Sequence, residues 1–111
     1  MENEKRRFPR VCATHLVYIE QRNEEQELAL QTHGRTIDLG LSGMLLECHL
    51  PHVRSGPLSL TLAGREQLVE CRGHSLRCER LTADRWVIAV ELEEPPRNYL
   101  RHLSLIFAEA T

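Results

Sequence analysis

Apolar residues recur at every second position through most of this chain, the period of a half-buried strand rather than of a helix. The cleanest case is Leu58-Ser59-Leu60-Thr61-Leu62-Ala63. Val11 to Glu20 alternates in the same way, and the wholly polar Gln21 to Glu27 reads as a hairpin loop. Leu28 to Leu39 predicts a second strand, with a bulge marked by Gly34. Gly40-Leu41-Ser42-Gly43 reads as a tight turn whose two glycines can take positive φ. Strands follow at Met44 to Leu50, at Leu58 to Ala63 after a loop from Pro51 to Pro57, at Leu68 to Arg80 with an interruption at Gly73, and at Trp86 to Leu92. The period then changes. Pro95-Pro96 ends extended structure, and Tyr99, Leu103, Ile106, Phe107 and Ala110 share one face of a helix over about residues 96–110.

Six short strands in hairpin succession and one helix predict an all-β fold with a C-terminal helix. Closing the sheet removes its exposed edges, so a six-stranded antiparallel β-barrel is expected rather than an open sheet. At 111 residues the chain is long enough for one core, placed at residues 11–111 behind a flexible basic arm at residues 1–10. No apolar run approaches the length of a membrane span, so no membrane insertion is expected. The charged start Met1-Glu2-Asn3-Glu4-Lys5 lacks the apolar stretch of a secretory leader, which predicts a cytoplasmic protein with reduced cysteines.

Charge sharpens the picture. Lys5, Arg6, Arg7 and Arg10 against Glu2 and Glu4 give the arm +2, and the −2 of the whole chain leaves −4 on the body. That asymmetry suits a compact anion better than DNA or RNA. Arg6-Arg7-Phe8-Pro9-Arg10 reads as an anion clamp, because guanidinium forks match phosphate oxygens and the O6/N7 edge of guanine. Asp38-Leu39-Gly40-Leu41-Ser42-Gly43 lies at a strand junction, and a carboxylate such as that of Asp38 can accept from the adjacent N1–H and N2–H₂ donors of guanine. Each stretch alone has a plainer reading, as a solvated tail and as a hairpin turn.

Taken together, Arg-x-x-x-Arg followed some thirty residues later by Asp-x-x-x-x-Gly resembles the signature of the PilZ domain, a family of bacterial cyclic di-GMP receptors. The strand after Gly43, the strand at Trp86 to Leu92 and the final helix fit the same pattern. The resemblance implies that Arg6 and Arg10 bind phosphate and guanine, with Arg7 contributing, that Asp38 faces guanine, and that Gly43 is the closing glycine. Gly40 occupies the family's serine position. The missing hydroxyl is worth about 0.5–1.5 kcal/mol, against about 1.5–3 kcal/mol for each charge-assisted arginine contact, so binding is expected to survive in weaker form. Arg77 is the candidate for support from a later strand. Lys5 ahead of the arginine pair goes, in the family, with a stacked ligand dimer.

The resemblance also implies a receptor without catalysis, whose arm folds over the barrel on binding cyclic di-GMP and signals to an unidentified downstream protein in motility or biofilm control. A PilZ-like adaptor without nucleotide binding is the alternative, kept open by Gly40. Zinc is a weaker reading. Cys71, His74 and Cys78 are close in sequence and the Cys48-His49 pair could join them, but on a continuous strand Cys71 faces away from both His74 and Cys78, and no two-residue knuckle is present. No metal and no cofactor are expected. The chain has no Gly-x-Ser-x-Gly elbow and no P-loop, and His15, His33 and His102 read as structural or exposed.

Overall fold

A computed structural model of the protein describes residues 10–12, 14–49, 56–64 and 67–110. The elements are β1 (Arg10–Cys12), β2 (Leu16–Arg22), β3 (Leu28–Gly40), β4 (Gly43–Cys48), β5 (Gly56–Ala63), β6 (Leu68–Thr82), β7 (Arg85–Glu93) and α1 (Arg97–Ala110). All strand pairings are antiparallel. The order β3-β2-β5-β6-β7-β4 returns through a β3–β4 pairing, which closes six strands into a barrel with one C-terminal helix. The expected architecture holds. Of the arm expected at residues 1–10, Arg10 begins β1, and residues 1–9, with Lys5, Arg6 and Arg7, lie outside the described residues, as do most of the loop expected at Pro51 to Pro57 and the side chains of residues 10–12, Phe107 and Ala110.

Period-two alternation fills the interior. Val17 and Ile19 of β2, Met44 and Leu46 of β4, Leu58, Leu60 and Leu62 of β5, and Ile88 and Val90 of β7 all point inward and are at most 3% exposed. Each such side chain contributes about 1.5–3 kcal/mol relative to exposure. The polar loop of residues 23–27 is organised by Asn23, whose Oδ1 accepts from the amides of Glu25 and Glu27 at 3.0 and 2.9 Å.

Four local expectations change. The stretch read as one strand from Val11 to Glu20 gives two, β1 ending at Cys12 and β2 beginning at Leu16, and β1 pairs with the far end of β3. Across the break, Thr36 N–H donates to the His15 carbonyl and His15 N–H donates to Thr36 Oγ1, both at 2.9 Å. Second, Gly34 pairs regularly with Val17 and Cys48, and the irregularities of β3 lie at Ala29, against β2, and at Ile37, between Thr36 and Asp38, against β4. Gly34 is needed for close approach instead, since a Cβ there would strike the Glu47 carbonyl oxygen. Third, Gly73 does not interrupt its strand. A Cβ there would lie 2.5 Å from the Glu91 carbonyl oxygen, and the register shifts fall at Leu76 and Leu81. Fourth, Gly40 ends β3 and Gly43 begins β4, so the turn proper is Leu41-Ser42. Positive φ among the described residues occurs at Gln26, Gly56 and Glu94.

Helix α1 begins just after the prolines rather than on them. The Pro96 carbonyl accepts from Tyr99 and Leu100 N–H at 3.0 and 3.1 Å, closing the first turn. Tyr99 and Leu103 are buried and Ile106 packs against the same core, so the apolar stripe docks on the barrel as its spacing predicted.

Candidate functional site

The bulge at Ile37 sets the geometry of the Asp38 region. Thr36 and Leu39 are both buried although they are three positions apart, because the bulge inserts one residue and reverses the phase of the strand. Asp38, between them in phase, is half-buried on the outer surface. β1 then runs alongside this end of β3 with Arg10 opposite Gly40, Val11 opposite Leu39 and Cys12 opposite Asp38. Two stretches far apart in sequence, the end of the arginine run and the Asp-x-x-x-x-Gly turn, are therefore hydrogen-bonded neighbours in one sheet.

From Asp38 the register crosses the barrel in one row. Asp38 pairs with Leu45 of β4, Leu45 with Ala89 of β7, and Ala89 with Arg77 of β6. Leu45 and Ala89 are half-buried between inward neighbours on each strand, so they form an apolar floor on the outside of the barrel. Three strand spacings separate Asp38 from Arg77, about 14 Å at some 4.8 Å per strand. Arg77 thus shares the face of Asp38 without touching it. Its guanidinium is exposed and lies 3.5 Å from Glu79, an ion pair too solvated to hold it in place.

Two features stiffen this face, and neither was evident in the sequence. The first is a brace one row away. Glu47 accepts from Arg35 Nε and from Arg85 Nη1, both at 3.0 Å, linking β3, β4 and β7. The Arg85 hydrogen bond first, and the Arg35 bond second, hold the Glu47 carboxyl below the usual carboxylate range. The second is a latch. Tyr99 of α1 is fully buried, and its hydroxyl donates to the Gly40 carbonyl at 2.7 Å. Tyr99 was legible as a core residue of the helix, but its hydroxyl acceptor, 59 residues away, was not.

Of the sequence-predicted residues, Asp38, Gly40, Gly43 and Arg77 lie on or beside this outer face, and the backbone of Arg10 joins it through β1. Arg6 and Arg7 lie outside the described residues. The thiols behave differently from expectation in one respect. The bulge at Leu76 brings Cys78 to the same side of β6 as Cys71, where Cys78 packs against the core; His74 points outward to Glu93, at 2.8 Å. Burial pushes the Cys71 thiol up to about 12, far from the range of a nucleophilic thiolate. Among the described residues, no three His, Cys, Asp or Glu side chains gather as metal ligands. No described helix is long and apolar enough to cross a membrane.

Comparison with known proteins follows the same lines. The family model of the PilZ domain matches residues 4–108. No curated protein matches the chain. Among solved structures, the chain is similar to the PilZ domain with c-di-GMP of YcgR from Escherichia coli, with a TM-score of 0.70 and 15% identity over 95% of this chain and 91% of that one. It is also similar to the Bacillus subtilis inhibitor of motility MotI/DgrA, with a TM-score of 0.73 and 15% identity over 97% of this chain. A third likeness is to the K. pneumonia MrkH–c-di-GMP complex, with a TM-score of 0.68 and 16% identity over 97% of this chain. The chain spans only 52% of the MotI/DgrA chain and 53% of the MrkH chain. At these identities the likeness is one of fold.

Proposed function

Because this chain belongs to the PilZ domain family, we propose that it is a receptor for cyclic di-GMP, binding the dinucleotide on the outer face of β3, β4, β7 and β6 and performing no chemistry on it. The single observation that carries this reading is the β1–β3 register, with Arg10 opposite Gly40 and Cys12 opposite Asp38. A guanine base needs a carboxylate for its N1–H and N2–H₂ edge, and the linked phosphate needs a guanidinium nearby. That register supports a shared site for the two groups. Arg6 and Arg7 complete the clamp, the turn bounded by Gly40 and Gly43 lets the ligand approach the backbone, and the apolar floor of Leu45 and Ala89 lies under its flat rings. Arg77, at the other end of the row, serves the far side of the ligand. On binding, the leader closes over the barrel, and the altered surface is read by a downstream protein in the cytoplasm, in a motility or biofilm pathway.

A second reading rests on Gly40. Without the family serine's hydroxyl, the fold would serve as a protein-binding adaptor that takes no nucleotide. Isothermal titration with cyclic di-GMP separates the two. Saturable binding by the wild type, weakened roughly tenfold or more in both Arg10→Ala and Asp38→Ala, is expected from the loss of a charge-assisted contact worth about 1.5–3 kcal/mol. No binding by folded wild type leaves the adaptor. Binding with unchanged affinity in both variants removes this site.

A further inference from the structure

On the helix side of the barrel, His15 and His102 meet Nε2 to Nε2 at 3.3 Å, with ring centroids 4.8 Å apart and planes at 63°. His15 lies in the break between β1 and β2 and is fixed by its two backbone hydrogen bonds to Thr36. His102 sits on α1, whose orientation is fixed by buried Tyr99 and Leu103. Both carriers are therefore rigid, and the two half-buried imidazoles are held edge to edge by the fold. Two metal–nitrogen bonds of about 2.0–2.1 Å opened at a tetrahedral angle place the nitrogens about 3.3–3.4 Å apart. The observed separation fits that edge.

A second observation lies beside the pair, on the same helix. Asn98 precedes His102 by one helical turn, so the two share a face of α1. Its Oδ1 is buried and has no hydrogen-bond partner among the described residues. An amide oxygen left without a donor is costly unless something polar or cationic reaches it. Asn98 and His102 line one cleft of about 520 Å³, together with Gly64, Gln67 and Arg101 among others, and His102 alone of the histidine pair faces it, which leaves room for water to complete a coordination sphere. Arg101, a formal cation in the same cleft, is exposed, so its head group can stay in water.

We propose that His15, His102 and Asn98 form a site for a borderline divalent metal ion of the zinc class, with the two Nε2 atoms and Asn98 Oδ1 as protein donors and water in the remaining position. Imidazole nitrogen favours zinc, nickel or copper over magnesium or calcium. In the absence of metal, one imidazole donates its N–H to the other, which holds the same pair together more weakly. The ion would clip α1 to the segment that follows β1 and stabilise the packing of the helix on the barrel. This site is separate from the nucleotide face and does not depend on it.

The test is zinc chloride titrated calorimetrically into tag-free protein, with nitrogen-detected imidazole NMR in parallel. One equivalent should bind, shift the Nε2 resonances of both His15 and His102, and raise the melting temperature by mass action. His15→Ala and Asn98→Ala should each weaken binding by at least about tenfold, since even supporting groups around a metal contribute that much. His102→Gln, which keeps a side-chain donor beside His15, should fold and lose the high-affinity event. Wild type that takes up no zinc, or takes it up with resonance shifts at other histidines only, overturns the proposal; so does unchanged affinity in folded His102→Gln.

Discussion

Replacing Tyr99 with phenylalanine isolates the latch between α1 and the end of β3. The ring remains and continues to fill its fully buried position. Only the hydroxyl is lost, and with it the 2.7 Å bond to the Gly40 carbonyl. A typical hydrogen bond contributes about 0.5–1.5 kcal/mol net, but a partner left unsatisfied in a buried site raises the cost to about 1–3 kcal/mol. Gly40 is buried at the strand end, so the larger range applies. For a domain of this size that loss lowers the melting temperature by about 4–8 °C per kcal/mol. In urea, with a slope of about 1–1.5 kcal/mol per molar, the midpoint falls by about 0.7–3 M while the slope is unchanged. Trp86, the single tryptophan and half-buried against the core, provides the fluorescence readout, with far-UV circular dichroism as the second probe. Tyr99→Ala, which also empties the ring's volume, should cost more, about 3–5 kcal/mol. If Tyr99→Phe unfolds within a few tenths of a kcal/mol of wild type, the hydroxyl is not a structural latch, and the reasoning that ties α1 to the motif strand fails.

Two other perturbations follow from the same geometry. Gly73→Ala places a methyl group 2.5 Å from the Glu91 carbonyl oxygen and 2.9 Å from Val90 Cγ1, both on the neighbouring β7; it should destabilise by about 1–3 kcal/mol, and thermal melts that show no loss would mean that β6 and β7 separate without cost. Glu47 has a folded-state pKa held below its unfolded value by Arg85 and Arg35, so its contribution is present above the unfolded pKa and disappears as pH falls through the folded one. Unfolding free energies of wild type and Glu47→Gln from urea titration should therefore differ by about 1 kcal/mol at neutral pH, where two partly exposed arginines share the carboxylate, and converge in acid; curves that stay parallel down to low pH would contradict the brace.

Much of the fold was legible from the side-chain period alone. Alternation at Leu58 to Ala63 and Trp86 to Leu92 fixes which residues face inward, because a strand allows no other arrangement once one face is buried. The stripe of Tyr99, Leu103 and Ile106 settles the helix in the same way, and the two halves of the arginine–aspartate signature can be read without coordinates. Bulges could not be read. Gly34 and Gly73 look like interruptions, yet both continue their ladders, and the inserted residues are Ala29, Ile37, Leu76 and Leu81, which carry no local mark. A bulge is a mismatch in residue count between two strands, so it exists only in relation to the partner. The same reasoning explains the candidate site. Composition could put arginines in a leader and a carboxylate at a strand end, but the neighbourly position of Arg10 and Asp38 required β1 to break from β2 and the bulge at Ile37 to turn Asp38 outward. The row from Asp38 through Leu45 and Ala89 to Arg77 and the hydroxyl of Tyr99 on Gly40 belong to pairings between distant segments, and these form only when the sheet closes on itself.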